Sequence, residues 1–562
     1  MARKKGHLPN NYFLKNSNMK MNNILLLIAL VLSTTHFKSQ KWDWAYNGGP
    51  SGGNAITCDH SGNTYVVSSG LTSIYGTYSL NCGTGGQIIA KHDSSSNVIW
   101  AEQIFGATAS AITTDKLGNV YVTGTCKNVT FCGANTSFSI APLGNYSDNG
   151  DAFIAKYDLN GNILWAKVWG FTNSGDGATA IKTDLNGNSI IAGRCLQTPN
   201  QGGLSNYFLL KYDTQGTLLW TKTSNWQGDQ YATSLDLDEA SNCYVTGNFS
   251  HSYAFFGNIT LTTNAVSSVF IAKYDKNGNL LWAKKDGTGN YDVVRGISLD
   301  QVGNFYITGN YGYPTSFGNL TLAGKGIFVV KYDTSGNVLW ARTASTSALG
   351  GGMGPTSVGS DKHGSCFVTG WMRNTTTFSG GGNSITLGSP KLNFDVFVTK
   401  YDSVGNLKWA VAPGGGSGNG NGGSAIAVDN NSNCYITGLY DGITTFGNTT
   451  LTNGGIFVAK LKDTIVPIVT GVKTEKLKKN ELSIYPNPTA GFVNINYQNV
   501  EGIKNAELKI NTVTGQSILS KICKLNGNEL NEQLDLSKFT KGIYFVEMVA
   551  DRKKEVKMIV VD

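Results

Sequence analysis

Asp176, Asp229 and Asp292 each stand just before an alternating apolar segment, and aromatic residues lie near them: Trp169, Phe171, Trp226, Tyr231 and Tyr291, with Trp371 further along. Carboxylates beside flat aromatic faces suit hydrogen bonding and stacking on a sugar or peptide. Two such acids facing each other across a cleft would also suit glycosidic hydrolysis. The competing reading is architectural: each Asp caps a strand start and the aromatics pack beneath loops. Other catalytic groupings are thin. Of the six His, His7 and His36 fall in the first 40 residues, His60 and His363 sit in turns, and none has a partner at metal-ligand spacing. Arg194, Arg295, Arg342 and Arg373 are scattered along the chain and do not read as an Arg cluster. Binding therefore ranks ahead of catalysis, and no enzyme activity is expected.

A second candidate set repeats. An Asp is followed seven residues later by a Trp at Asp93/Trp100, Asp158/Trp165, Asp213/Trp220, Asp275/Trp282, Asp333/Trp340 and Asp402/Trp409. The run Asp275 to Asn279 faintly echoes an oxygen-rich calcium loop, but no copy has the series of acidic ligands and the distal Glu that such loops use. An Asp before a Gly turn accepts backbone N–H groups, so the repeated Asp reads as a turn cap and no cofactor is expected. The repeated Trp reads as packing between neighbouring units.

These residues belong to two alternating hairpin types. One is KYDKNGNLLWAK at Lys273 to Lys284; the other is ITTDKLGNVYVTG at Ile112 to Gly124, with its Asp recurring at 59, 115, 184, 238, 300, 361 and 429. Together they form a sevenfold repeat of about 60 residues. Four alternating strands per repeat, inner, second, third and outer, fit a propeller blade. The array opens on an isolated outer strand, Trp42 to Ala45, and ends at Ile456 to Lys460 on a third strand that lacks an outer partner. Pairing the two closes the ring and removes two open edges. The predicted fold is all-β: a seven-bladed propeller over 41–462, closed by its N-terminal strand. Its short Asp-x-x-Gly-Asn turns lie on one face and the variable connections on the other, where a binding site belongs.

Charge and cysteine content narrow the setting. The net charge of +8 divides unevenly: residues 1–40 carry six basic groups and no acids, whereas 41–462 carry 25 of each sign. A neutral body argues against nucleic-acid binding. The apolar run Ile24 to Leu32 follows basic residues and is too short to span a bilayer, so 1–40 reads as a secretory leader, with an N-terminal anchor as the alternative and no transmembrane segment expected in the mature chain. Among nine Cys, Cys243, Cys366 and Cys434 share one strand position and read as core. Cys126 with Cys132, and Cys58 with Cys82, are close enough in sequence for local bridges. Residues 463–480, with Pro467 and a basic run, read as a linker; 481–562 reads as a small β-sandwich.

In that last segment, SIYPNPTAGFVNI (Ser483 to Ile495), VTGQ (Val513 to Gln516), LDLSKFTKGIYFVEM (Leu534 to Met548) and KMIVV (Lys557 to Val561) together resemble the type A C-terminal sorting domain of the type IX secretion system. The resemblance implies export through the periplasm, contact between 481–562 and the secretion machinery, and release or display at the outer surface. The repeats are similar to the SBBP family of bacterial β-propeller repeats, through DxxGNxYVTG and FGNxTLT…FIAKYDxxGNxLWA; Gly193 to Tyr207 and Tyr75 to Thr77 depart from that pattern. The Asp, Gly, Trp order is also similar to the tryptophan-docking repeat of quinone dehydrogenases, whose eight blades and cofactor ligands have no counterpart here. The expected function is an exported binding or adhesion module for a glycan or protein, with Asp176, Trp226, Asp229, Tyr291, Asp292 and Trp371 as ligand-binding candidates. The alternatives are a polysaccharide-active enzyme and a purely structural surface component.

Overall fold

The computed structural model describes residues 40–49, 52–70, 74–80, 86–132, 137–141, 150–171, 175–196, 205–224, 229–250, 252–346, 352–389, 394–414, 420–463, 481–489, 491–498, 505–525, 529–550 and 553–562. The leader, most of the linker, Cys82 and Trp226 lie outside them. The described secondary structure is entirely β, and no described helix is long and apolar enough to cross a membrane. The chain divides into two compact units, Met1–Val466 and Pro467–Asp562.

In the first unit each repeat builds an antiparallel meander. Its third strand is covered on both faces, as in Ser268–Tyr274, where all but one residue are buried, whereas the outer strand Leu280–Asp286 is largely open. The inner strands of successive repeats lie side by side, and Gly53–Cys58 touches both Val98–Thr114 and Gly422–Val428. This radial stacking of meanders about shared inner strands makes a β-propeller. Lys41–Asn47 pairs antiparallel with Gly455–Lys462, from Lys41 opposite Lys462 to Asn47 opposite Phe457. The repeats are less separate than their sequence implies. Val98–Thr114 runs on as the outer strand of one repeat and the inner strand of the next, fusing two meanders into one sheet. A hairpin, Thr375–Gly380 with Asn383–Gly388, adds itself to the outer strand Val338–Thr346 of the preceding repeat.

The repeated Asp and Trp hold the scaffold. Asp275 Oδ1 accepts the amides of Asn277 and Asn279 at 2.9 and 2.8 Å, and Oδ2 accepts Asn279 Nδ2 at 2.8 Å. Gly278 in that turn has φ +80°, and an added Cβ there would meet the Trp220 ring of the preceding repeat at 3.0 Å, so the position needs Gly twice over. Trp220 Nε1 donates to the carbonyl of Lys276. Trp100, Trp165 and Trp340 make the same bond to Leu159, Thr214 and Ser403, and Trp44 makes it to Ser94. Trp409 donates instead to the carboxylate of Asp463, 3.1 Å away, which stands where the other copies offer a turn carbonyl. The second Asp set anchors buried lysines of the third strand: Asp184 lies 3.0 Å from Lys211, both side chains at or below 5% exposure. Lys331 with Asp300 repeats the pair beneath the Tyr306 ring.

These carboxylates fix the acid side of stability. Burial pushes Asp158, Asp184, Asp275, Asp333 and Asp402 upward, but turn amides and Asn side chains, with Lys211 at Asp184, more than offset it and hold them below the usual range. A depressed folded value gives stability that is present above the unfolded value near 4 and lost as pH falls through the folded one. Asp395 runs the other way. Burial lifts it to about 6 against donors from Val396 and Asn421, so stability is lost as pH rises from about 4 through 6. Melting temperature across about pH 3 to 8 is expected to peak on the mildly acidic side and fall steeply below about 4. Asp395→Asn is expected to flatten the decline toward neutrality; an unchanged profile would count against this assignment.

Neither of the local bridges that the sequence spacing allowed is formed. Cys126 and Cys132 lie on one extended strand, Val120–Cys132, and six residues of strand span roughly 20 Å, far beyond disulfide reach. Cys126 is a buried free thiol, Cys58 is also free, and Cys132 is disulfide-bonded to a partner outside the described residues.

The second unit has a three-stranded sheet, Glu481–Tyr485, Phe492–Gln498 and Glu529–Asp535, and a four-stranded sheet of Ser517–Lys524, Asn505–Thr512, Gly542–Ala550 and Lys553–Val561. Both contribute to one apolar core around Val493, Ile495, Leu508, Val546 and Ile559.

Candidate functional site

The inner strands carry one irregularity in common, and it builds the mouth of the propeller. Opposite the Gly of each NxYVTG string, or Ser68 in the first repeat, the ladder skips one residue: Thr179 between Ala178 and Ala180, Thr233 between Ala232 and Ser234, Arg295 between Val294 and Gly296, and Thr356 between Pro355 and Ser357. Asn54, Ser110 and Ser424 occupy the same place elsewhere. Where the facing residue is Gly there is no room for a side chain: a Cβ on Gly247 would lie 2.0 Å from the Tyr231 carbonyl. A bulge turns its extra residue out of the regular alternation. Here the extra residues line a central channel of about 430 Å³.

Most bulge residues are short and bind the wall. Thr179 Oγ1 donates to Ala232 O at 2.9 Å, Thr356 Oγ1 to Gly423 O at 2.7 Å, and Asn54 Nδ2 to Ala109 O at 3.1 Å, each reaching the next repeat. Arg295 is the exception: long, charged and exposed. It lines both the channel and a wider cavity of about 690 Å³ that also holds Arg194, Tyr231, Asn310 and Trp371. That volume falls within the usual range for small-ligand sites. Arg194, Asn310 and Trp371 share one register position, the residue after the strand-two Gly, which is Thr125 in another copy. Tyr231 feels both guanidiniums: desolvation raises its hydroxyl pKa, with Asp229 adding to the rise and Arg295 and Arg194 opposing it. Trp371 is half-buried and edge-on to Phe394, with ring centroids 5.1 Å apart. Among the described residues neither Arg194 nor Arg295 has an ion-pair partner.

Of the five described residues among the six singled out from sequence, only Trp371 lines this cavity. Asp176 is buried, its Oδ2 accepting the amide of Phe171 at 2.6 Å and its Oδ1 that of Leu196 at 3.1 Å. Asp229 accepts the Ser205 amide and the Ser250 hydroxyl. Asp292 is fully buried, with Oδ2 accepting from Gly289 N and Thr315 Oγ1, both at 2.8 Å; burial raises its pKa against those two bonds. The three carboxylates thus tie loops to strand starts, the architectural alternative, because each precedes a strand whose flanking amides need acceptors. Tyr291 stacks on Tyr313 with centroids 5.9 Å apart, outside the cavity lining. Trp226 lies outside the described residues. The residues missed were the two arginines. Their signal was present in register: Arg295 stands where sister copies have Asn, Ser or Thr.

Comparison with known proteins finds 27% identity over 230 residues with an uncharacterized WD repeat-containing protein, L264, of Acanthamoeba polyphaga mimivirus, covering 32% of this chain and 16% of that protein. Among solved structures, the Dos1 propeller aligns over 75% of this chain and 96% of its own at 11% identity and TM-score 0.40. A calcium-binding protein, regucalcin, from Agrobacterium tumefaciens aligns over 57% and 81% at 12% identity and TM-score 0.29. Residues 483–562 match the secretion system C-terminal sorting domain, which marks the chain for type IX secretion to the cell surface or the extracellular space.

Proposed function

We propose that the chain is an exported binding module, a seven-bladed propeller of SBBP type closed by Lys41–Asn47, with 481–562 as a β-sandwich that engages the secretion machinery. In this reading residues 1–40 direct passage into the periplasm, and the propeller is then displayed on the surface or released, binding a glycan or protein at its mouth. Pairing of Lys41–Asn47 with Gly455–Lys462 supports closure, and the two sheets around one core support the sandwich. One observation carries the functional reading. Scaffold positions repeat from copy to copy, whereas Arg194, Arg295 and Trp371, which line the mouth cavity, do not. A rigid ring with a variable lining is a recognition surface. Binding is favoured over hydrolysis because Asp176 and Asp229 spend both oxygens on amides and a hydroxyl, and Asp292 is fully buried with Oδ2 bonded to Gly289 and Thr315. No metal or cofactor role is assigned.

The test is a glycan, polysaccharide and peptide array probed with the full chain and with Trp371→Asn, the residue that Asn310 provides in a sister repeat. Specific retention that drops at least tenfold in the variant is the expected result. A blank array, or retention indifferent to the substitution, would leave a structural role as the better reading.

A further inference from the structure

The mouth is locally basic within a propeller whose charges otherwise balance, 25 against 25 over 41–462. Arg295 occupies a bulge position at which other repeats place short side chains that hydrogen-bond to the wall. Substituting a long exposed cation there adds nothing to the bulge, which forms equally well around Thr179 or Thr233. Arg194 departs in the same way from Thr125. Both line one cavity, flank Tyr231 electrostatically, and have no ion-pair partner among the described residues. A guanidinium is a planar fork of donors suited to an anionic oxygen pair, and two on one cavity with no acid in its lining suit an anionic ligand. The rest of the lining includes the flat rings of Tyr231 and Trp371, the Asn310 amide and the hydroxyls of Ser110 and Thr125. Aromatic faces and hydroxyls match the C–H face and ring hydroxyls of a sugar better than an acidic peptide.

We infer that the mouth binds an acidic saccharide, its anionic group held by Arg194 and Arg295 and its ring laid against Trp371 or Tyr231; this rests on reading the mouth as the binding site. The anionic group is a carboxylate or a sulfate, which share this recognition chemistry.

Calorimetric titration of the full chain would use an oligogalacturonide, its methyl-esterified form, a sulfated galactan oligosaccharide, a neutral malto-oligosaccharide and polyglutamate. The variants Arg295→Thr, Arg194→Thr and Trp371→Asn each copy a sister repeat, and unchanged melting temperatures would verify their folding. Binding of the uronate or the sulfated probe is expected, weakened about tenfold or more by either Arg substitution and reduced by added salt. Esterification is expected to abolish the uronate response, and preference between the two acidic probes identifies the anionic group. Failure of both acidic saccharides to bind overturns the inference, as does equal or tighter binding of polyglutamate. Binding of the neutral sugar that falls with Trp371→Asn but not with either Arg variant overturns it while leaving the mouth as the site. Saccharide binding unchanged in all three variants overturns both.

Discussion

Deleting Lys41–Asn47 is expected to leave a chain that neither stays soluble nor melts cooperatively. These seven residues supply the outer strand of the last repeat, opposite Phe457 to Lys462. Trp42 is only 8% exposed and meets Phe446 edge-on at 5.0 Å, so its loss alone corresponds to about 3–5 kcal/mol. The ladder bonds add about 0.5–1.5 kcal/mol each, and the total rivals the roughly 5–15 kcal/mol by which a domain is stable. Asp43 lies 2.8 Å from Lys462 within the pair of strands, and one further contact reaches beyond it: Trp44 Nε1 donates to Ser94 of the first repeat. Deletion also bares the edge of Gly455–Lys462, a template for pairing between molecules. Soluble yield and thermal melts followed by circular dichroism measure the outcome. A permuted chain in which Trp42–Asn47 follows Leu461 through a turn copied from Asp333–Asn337 restores the same pairing and is expected to recover the parental melt. A deletion variant melting within a few degrees of the parent would refute this account of closure.

The scaffold was legible because it is periodic. Asp275 and Trp220 serve a neighbour as well as their own hairpin, so their types recur at fixed spacing. The mouth was illegible for the opposite reason. Arg194 and Arg295 stand 101 positions apart in the chain, and only the shared bulge and sheet register bring them to one cavity. Asp176 and Asp292 carried the right chemistry in sequence but are buried and hold loop segments in place, and nothing in a one-dimensional pattern separates a capping carboxylate from a ligand-facing one. The strand Glu529–Asp535 is hard to read from sequence because its fully buried residues are only Leu530 and Leu534, four apart, a spacing that favours neither period. Cys126 and Cys132 show the reverse relation: nearness in sequence is separation in space once the segment is extended.

Removing 483–562 is expected to hold the protein in the periplasm, with the propeller itself intact. The segment matches the sorting domain and forms its own compact unit, so the loss falls on export rather than on the fold of the first unit. Whether a folded tail or merely its sequence is read can be separated by two substitutions on neighbouring strands. Leu508 is fully buried at the centre of the tail core, and Leu508→Asp would bury an unpaired carboxylate at a cost exceeding what so small a core supplies. Ile522 is 75% exposed, and Ile522→Asp changes charge without touching the core. Immunoblots of medium, surface and cell fractions are expected to show export abolished by the truncation and by Leu508→Asp, and retained with Ile522→Asp. Parental levels of the truncated chain outside the cell would remove the tail as the export signal. Export of Leu508→Asp alone at parental level would mean that the machinery reads an unfolded segment, and the paired sheets around Leu508 would then serve the protein only after secretion.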